Sequence, residues 1–213
     1  MGTYFTADTH LGHEPIIEKC ARPFSNLREM HEVIRRNWNE IVGPDDTVYH
    51  LGDVALRGRG MSSAELARYL ASLNGRIVVL RGNYDSDRTC RAFRQAGVSV
   101  MLGRHVVSDE DGLQYSAGHY PPVSKTARDL CAPFQRDPER PVLAGHLHAT
   151  RPANRFRGFS WVDVGVDAND YAPLGAGDVY DLWQEALALD RDTVAPEDGD
   201  GGTVWRDLTE GAP

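Results

Sequence analysis

Seven residues able to ligate a metal stand in five short motifs: "DTH" at 8–10, "GD" at 52–53, "GN" at 82–83, "GH" at 118–119 and "GHLH" at 145–148. They are Asp8, His10, Asp53, Asn83, His119, His146 and His148, and they include four of the eight histidines. Imidazole and carboxylate without thiolate suit Mn, Fe, Zn, Ni or Co better than a soft-metal site. A structural zinc needs about four ligands, whereas seven suit two cations roughly 3.5–4 Å apart that share a bridging carboxylate. Any one such motif is more often structural, but five in succession, each closing an apolar run, are not explained by turns alone. Asp8 with His10 and His146 with His148 are i, i+2 pairs, which extended backbone would project to one side. In the last four motifs a glycine precedes the first polar residue, as a sharp turn or a close backbone approach requires.

The elements that must carry these residues begin with a strand over 2–7. A helix over "SNLREMHEVIRRNWNEIV" follows, capped by Ser25 or Asn26, with Met30, Val33, Ile34, Trp38 and Ile41 on one face. The strand "DTVYHLGD", a helix over "SSAELARYLASLNG" ending at Gly75, the strand "RIVVLRGN" and the helix "SDRTCRAFRQAG" ending at Gly97 complete a βαβαβα pattern. That alternation implies a mainly parallel sheet with its site at the carboxyl ends of the strands. Beyond Gly97 the strand candidates "VSVML", "HVVSD", "LQYSAGH", "PVLAGH" and "GFSWVDVGVD" are joined by loops, which predicts a second, more antiparallel sheet. Residues 120–140 read as a long loop with a short helix, and "GDVYDLWQEALAL" as a last helix. The expected domain spans 1–189, with an acidic, loosely held tail over 190–213.

A chain of 213 residues with 41% hydrophobic and 25% charged content fits one soluble domain. No apolar run approaches the roughly 20 residues of a membrane span, and the N-terminus lacks the pattern of an export signal, so the cytoplasm is the expected compartment. Cys20, Cys90 and Cys131 form no CxxC pair and read as buried thiols. The net charge of −8 disfavours broad capture of nucleic acid. Arg88, Arg91 and Arg94, and Arg151, Arg155 and Arg157, read as solvated faces. Oligomerisation is left open.

The order D-x-H, G-D, G-N, G-H, G-H-x-H resembles the signature of the calcineurin-like metallophosphoesterase superfamily over residues 1 to about 185. Its stretches "YFTADTHLGHE", "DDTVYHLGD" and "VGVD" are similar to small bacterial and phage members. The resemblance implies an α/β fold, a two-sheet β-sandwich flanked by helices (αββα). It also implies two divalent transition metal ions, manganese foremost. By matching position, one would be held by Asp8, His10, Asp53 and His148, the other by Asp53, Asn83, His119 and His146, with Asp53 bridging.

Two divalent cations bring about +4, and two aspartates and a bridging hydroxide remove about three, leaving about +1 to draw in phosphate oxygens. The expected reaction is in-line hydrolysis of a phosphoester by that hydroxide, on a small phosphodiester or nucleotide. Rival readings are a phosphomonoesterase or phosphoprotein phosphatase, a nuclease, and a non-catalytic metal-binding scaffold. His13 either contacts substrate or fixes its loop. Arg57 and Arg59 either reach a phosphate or face water, and His50 reads as a supporting histidine. The usual family pattern after G-N is His followed by Asp or Glu, that histidine protonating the leaving alcohol. Here Tyr84 takes its place, and a phenol with pKa about 10 is a poorer donor than an imidazolium at about 6.5. A positioned general acid is worth about 10²–10⁴ in rate, so an alkyl monoester should suffer most. The expectation is a phosphodiesterase, including action on cyclic nucleotides of the 2′,3′ type, with Tyr84 packing against substrate and Asp85 capping the next helix.

Overall fold

Four parallel strands carry the first half of the chain: β1 (Thr3–Thr6), β2 (Thr47–His50), β3 (Arg76–Leu80) and β4 (Ser99–Met101). Between them lie α1 (Pro15–Lys19), α2 (Leu27–Ile41), α3 (Ser63–Leu70) and α4 (Asp87–Gln95). The second sheet takes β5 (His105–Ser108), β6 (Gln114–Ala117), β7 (Val142–Ala144), β8 (Ala153–Phe156) and β9 (Phe159–Asp163). A 3₁₀ turn (Val166–Ala168) then leads to β10 (Leu174–Gly175) and α5 (Ala176–Ala188). The computed structural model describes residues 1–56, 61–122, 139–156 and 158–190. Arg57, Arg59, Cys131, Arg157, most of the expected 120–140 loop and residues 191–213 of the expected tail lie outside them.

The first sheet runs β10-β1-β2-β3-β4, antiparallel only at β10, and the second β5-β6-β7-β9-β8, antiparallel at its two edges. Two sheets flanked by helices make an αββα sandwich. Alternation along β3 shows why: Ile77 and Val79 join Trp38, Leu66, Leu70 and Phe93 under the helices, while Leu80 joins Phe5, Tyr115, Leu143 and Trp161 in the other core. Helix α5 packs on β8 and β9 and contributes Val179 and Trp183.

Several expectations need correction. Of the two expected caps of α2, Asn26 is the one used, accepting from the Glu29 N–H, whereas Ile41 at the end of the helix is exposed rather than on the buried face. Helix α3 has the Ser62–Glu65 capping box but stops at Leu70, well before Gly75. Side chains of α2 hold the segment beyond it instead: Trp38 Nε1 donates to the Asn74 carbonyl and Asn39 Nδ2 to that of Ser72 (2.9 and 2.8 Å), replacing helical bonds. Cys90 is buried but Cys20 only partly so. Arg88, Arg91 and Arg94 do form an exposed face of α4. Arg155 has a different task, donating from Nη1 to the Leu189 carbonyl at 2.7 Å just past α5.

Candidate metal centre

The exits of β1, β2 and β3 and of β6 and β7 meet at one edge of the sandwich and bring the seven residues together. Ligand atoms of Asp8, His10 and His148 lie within 4.8 Å of one another, as do those of Asp53, His119 and His146. Asp53 Oδ2 stands between the groups, 3.6 Å from His10 Nε2 and 3.4 Å from His119 Nε2. Asn83 Oδ1 is 2.8 Å from His119 Nε2.

Backbone strain shapes the convergence. Asp8, His10, Asp53, His146 and His148 all have left-handed φ, between 49° and 76°. The i, i+2 pairs therefore do not converge by extended alternation, as the sequence suggested; the chain curls at each of these residues. Asp and His tolerate this region better than most residues, yet each instance costs about 1 kcal/mol or more, and such strain clusters where surrounding contacts impose it. The loops after β1 and β2 are stitched together through Asp8 N to Gly52 O, His10 N to Asp53 O and Leu11 N to Val54 O, 2.9–3.0 Å. Two glycines are required by proximity: a Cβ at Gly82 would run into the Asp53 backbone N and Oδ1, and one at Gly145 into Asp8 Oδ2.

Each aspartate has one oxygen fixed and one left over. Asp8 Oδ2 accepts from the His146 N–H (2.8 Å), while Oδ1 is buried without a hydrogen-bond partner. Asp53 Oδ1 accepts from the Tyr84 N–H (2.8 Å), which leaves Oδ2 between the two histidine groups. His10 Nε2 is likewise buried and unpartnered. His119 Nδ1 donates to the Leu51 carbonyl (2.8 Å) and His148 Nδ1 to Asp167 Oδ2 (2.7 Å), so in the neutral tautomer each presents a lone pair on Nε2. His146 Nδ1 is 3.2 Å from His119 Nε2, two nitrogens aimed at one point. Burial alone would push His119 down, but the Asp53 carboxylate and then Asp8 raise it to about 9; burial, then His119, push His146 to about 3. Orphaned buried lone pairs facing one another in a set of oxygen and imidazole donors suit two divalent cations.

The residues after Asn83 have distinct tasks. Asp85 does not cap α4; Ser86 does, accepting from the Thr89 N–H. Instead Asp85 is fully buried and accepts from three backbone N–H groups, those of Asp53 and Gly82 on Oδ2 and of Val54 on Oδ1, at 2.8–3.0 Å. Burial pushes its carboxyl up to about 6. The Tyr84 ring meets that of His10 edge-on and that of His13 at a tilt, with centroids 5.0 and 5.2 Å away. His13 is buried, its Nδ1 3.1 Å from that of His10, and burial lowers its pKa. His50 Nε2 meets Thr9 Oγ1 at 3.0 Å and so supports the ligand loop.

Sequence reasoning missed four side chains here. Tyr120 lies 5.1 Å from the His119 ring and 4.7 Å from that of His146, facing the group opposite Tyr84, and its position after "GH" could have drawn notice. Asp163 is buried beside Asp8, with Oδ1 accepting from the Gly165 N–H and Oδ2 unpartnered; burial and then Asp8 raise it to about 8. Asp167, the last residue of "VGVD", bonds His148 and Arg22. No local signal marks Arg22.

The calcineurin-like phosphoesterase family model matches residues 1–207. The chain belongs to the calcineurin-like phosphoesterase family. Together with the two His/Asp groups, membership supports metal-dependent phosphoester hydrolysis. The chain is 47% identical over 101 residues to an uncharacterized protein of Methanocaldococcus jannaschii, a match covering 46% of this chain and 56% of that one. To the Gene 66 protein of Mycobacterium phage L5 it is 27% identical over 197 residues, covering 84% of this chain and 93% of the phage protein. The crystal structure of a protein of unknown function from Aquifex aeolicus shares the fold, with a TM-score of 0.65 at 23% identity, covering 85% of this chain and 98% of that one. No helix among the described residues is long and apolar enough to cross a membrane.

Proposed function

We propose that this phosphoesterase uses two divalent transition metal ions, manganese foremost with Fe, Ni, Zn or Co as alternatives. Asp8, His10, Asp53 and His148 would hold one, and Asp53, Asn83, His119 and His146 the other. The observation that carries the reading is Asp53 Oδ2, freed by the Tyr84 N–H on Oδ1 and placed 3.6 and 3.4 Å from imidazole nitrogens of the two groups. When bound, the cations would supply an activated water near neutral pH and positive charge toward the phosphoryl oxygens. The protein's own part is to fix one carboxylate oxygen and one imidazole tautomer at each position, so that little reorganisation accompanies the reaction.

The substrate class we infer is a small phosphodiester, cyclic nucleotides included. Tyr84 occupies the site next to Asn83 where an imidazole would protonate an alkoxide, and a phosphodiester with an aryl or strained cyclic leaving group needs that proton least. Tyr84 and Tyr120 flank opposite histidine groups, and aromatic walls suit a ring-bearing leaving group. The monoesterase alternative needs another acid. His13 is poorly suited, because its Nδ1 packs on His10 and burial disfavours its charged form. Assay of aryl and alkyl monoesters, aryl diesters and 2′,3′- and 3′,5′-cyclic nucleotides with each metal tests this. Wild type should prefer diesters, and Tyr84→His should raise alkyl monoesterase relative to diesterase activity by about 10-fold or more. A wild type that prefers alkyl monoesters, unimproved by the substitution, would exclude this role for the phenol.

A further inference from the structure

Three of the four groups of one proposed metal position arrive on loops from different sheets: Asp8 and His10 follow β1, and His148 follows β7. All three are in the left-handed region, so something beyond the local backbone must hold them. Arg22, only 4% exposed in the link between α1 and α2, touches both sides. Its Nε and Nη2 donate to Asp167 Oδ1 and Oδ2, both at 2.8 Å. The outer edge of the same fork donates from Nη2 to the Asp8 carbonyl (2.7 Å) and from Nη1 to that of Thr9 (3.3 Å). Asp167 Oδ2 in turn accepts from His148 Nδ1 at 2.7 Å.

We propose that Arg22 is a positioning residue for the Asp8–His10–His148 metal position, locking the β1 loop to the His148 imidazole through Asp167. This rests on the dinuclear reading above. The planar fork matches a carboxylate on one edge and two carbonyls on the other, which a lysine ammonium cannot reproduce. The guanidinium also neutralises Asp167, so the carboxylate orients the imidazole without adding net charge behind the site. A carboxylate behind a metal-facing histidine fixes its tautomer and raises its basicity, and loss of such a partner typically costs about 10–100-fold in metal affinity. The other position is built differently: His119 is backed by the neutral Leu51 carbonyl, and no hydrogen bond joins Arg22 to its residues. The direct bonds of Arg22 therefore reach one of the two metal positions, and its loss should fall mainly on that one.

The experiment titrates metal-depleted full-length protein with Mn²⁺ by calorimetry, comparing wild type, Arg22→Lys, Asp167→Asn and His148→Ala. Wild type should bind two equivalents. Arg22→Lys and Asp167→Asn should each weaken one step about 10–100-fold and the other far less, and His148→Ala should lose the same step. Two wild-type affinities in either variant, or equal weakening of both steps, would overturn the role of Arg22 as a position-specific brace. Wild type binding fewer than two equivalents would instead overturn the dinuclear reading itself. Should Arg22→Lys fail to fold, Asp167→Asn, which preserves side-chain shape, decides by the same one-step criterion.

Discussion

Asp53→Asn is expected to lose tight binding of both metals and to lower kcat/KM by more than about 10²-fold, the upper figure for losing a residue that merely supports a ligand. One oxygen of this side chain lies between the two histidine groups, and the other is fixed by the Tyr84 N–H. An amide can keep its oxygen on that N–H only by turning its NH₂ toward both groups, where it would donate to the lone pairs a cation needs and repel the cation itself. Turned the other way, the NH₂ meets the Tyr84 N–H, donor against donor. Either orientation removes the shared negative charge, whereas His148→Ala touches one group alone. Elemental analysis after gel filtration, with kinetics on the same samples, reads both effects. Two metals per chain with unchanged turnover in Asp53→Asn would remove the bridge from the account.

The second large effect is on stability. Asp85→Ala would leave the N–H groups of Asp53, Val54 and Gly82 without acceptors in a fully buried place, at a cost of about 1–3 kcal/mol each, several kcal/mol from a typical total of about 5–15. Asp85→Asn should fare little better, because an amide turns a donor toward one of these donors. Urea denaturation of the metal-depleted proteins checks this. Both variants should unfold at markedly lower urea; a wild-type midpoint for the asparagine variant would show that one oxygen suffices. The residue that directs Asp53 into the site thus also joins the β2 and β3 loops, so site geometry and fold stability share a side chain.

The parallel sheet and the meeting place of the seven residues were legible because apolar runs ending on Asp8, Asp53, Asn83, His119 and His146 announce strand exits, and exits of parallel strands share an edge. The local geometry was not. Spacing in "DTH" and "GHLH" suggested extended alternation, but left-handed φ at these residues goes with bonds from other loops, such as His146 N to Asp8 Oδ2 across 138 positions. Strand β8, "ANRF", has no apolar alternation and exists by pairing with β9, while α1 has five residues, too few for a stripe. Asp85 invited reading as a helix cap because Ser86 and α4 follow it; two of the three donors that hold it, Asp53 N and Val54 N, come from the folded β2 loop more than 30 positions away. Arg22 and Asp167 lie 145 positions apart, and neither carries a local sign of the other.

The proposed bridge can be tested directly. Crystals grown with Mn²⁺ and measured at the manganese absorption edge should show two anomalous peaks per chain, about 3.5–4 Å apart, with Asp53 Oδ2 between them. One peak should lie against Asp8, His10 and His148, the other against Asn83, His119 and His146. A single peak, or two peaks that do not share Asp53, would contradict the account.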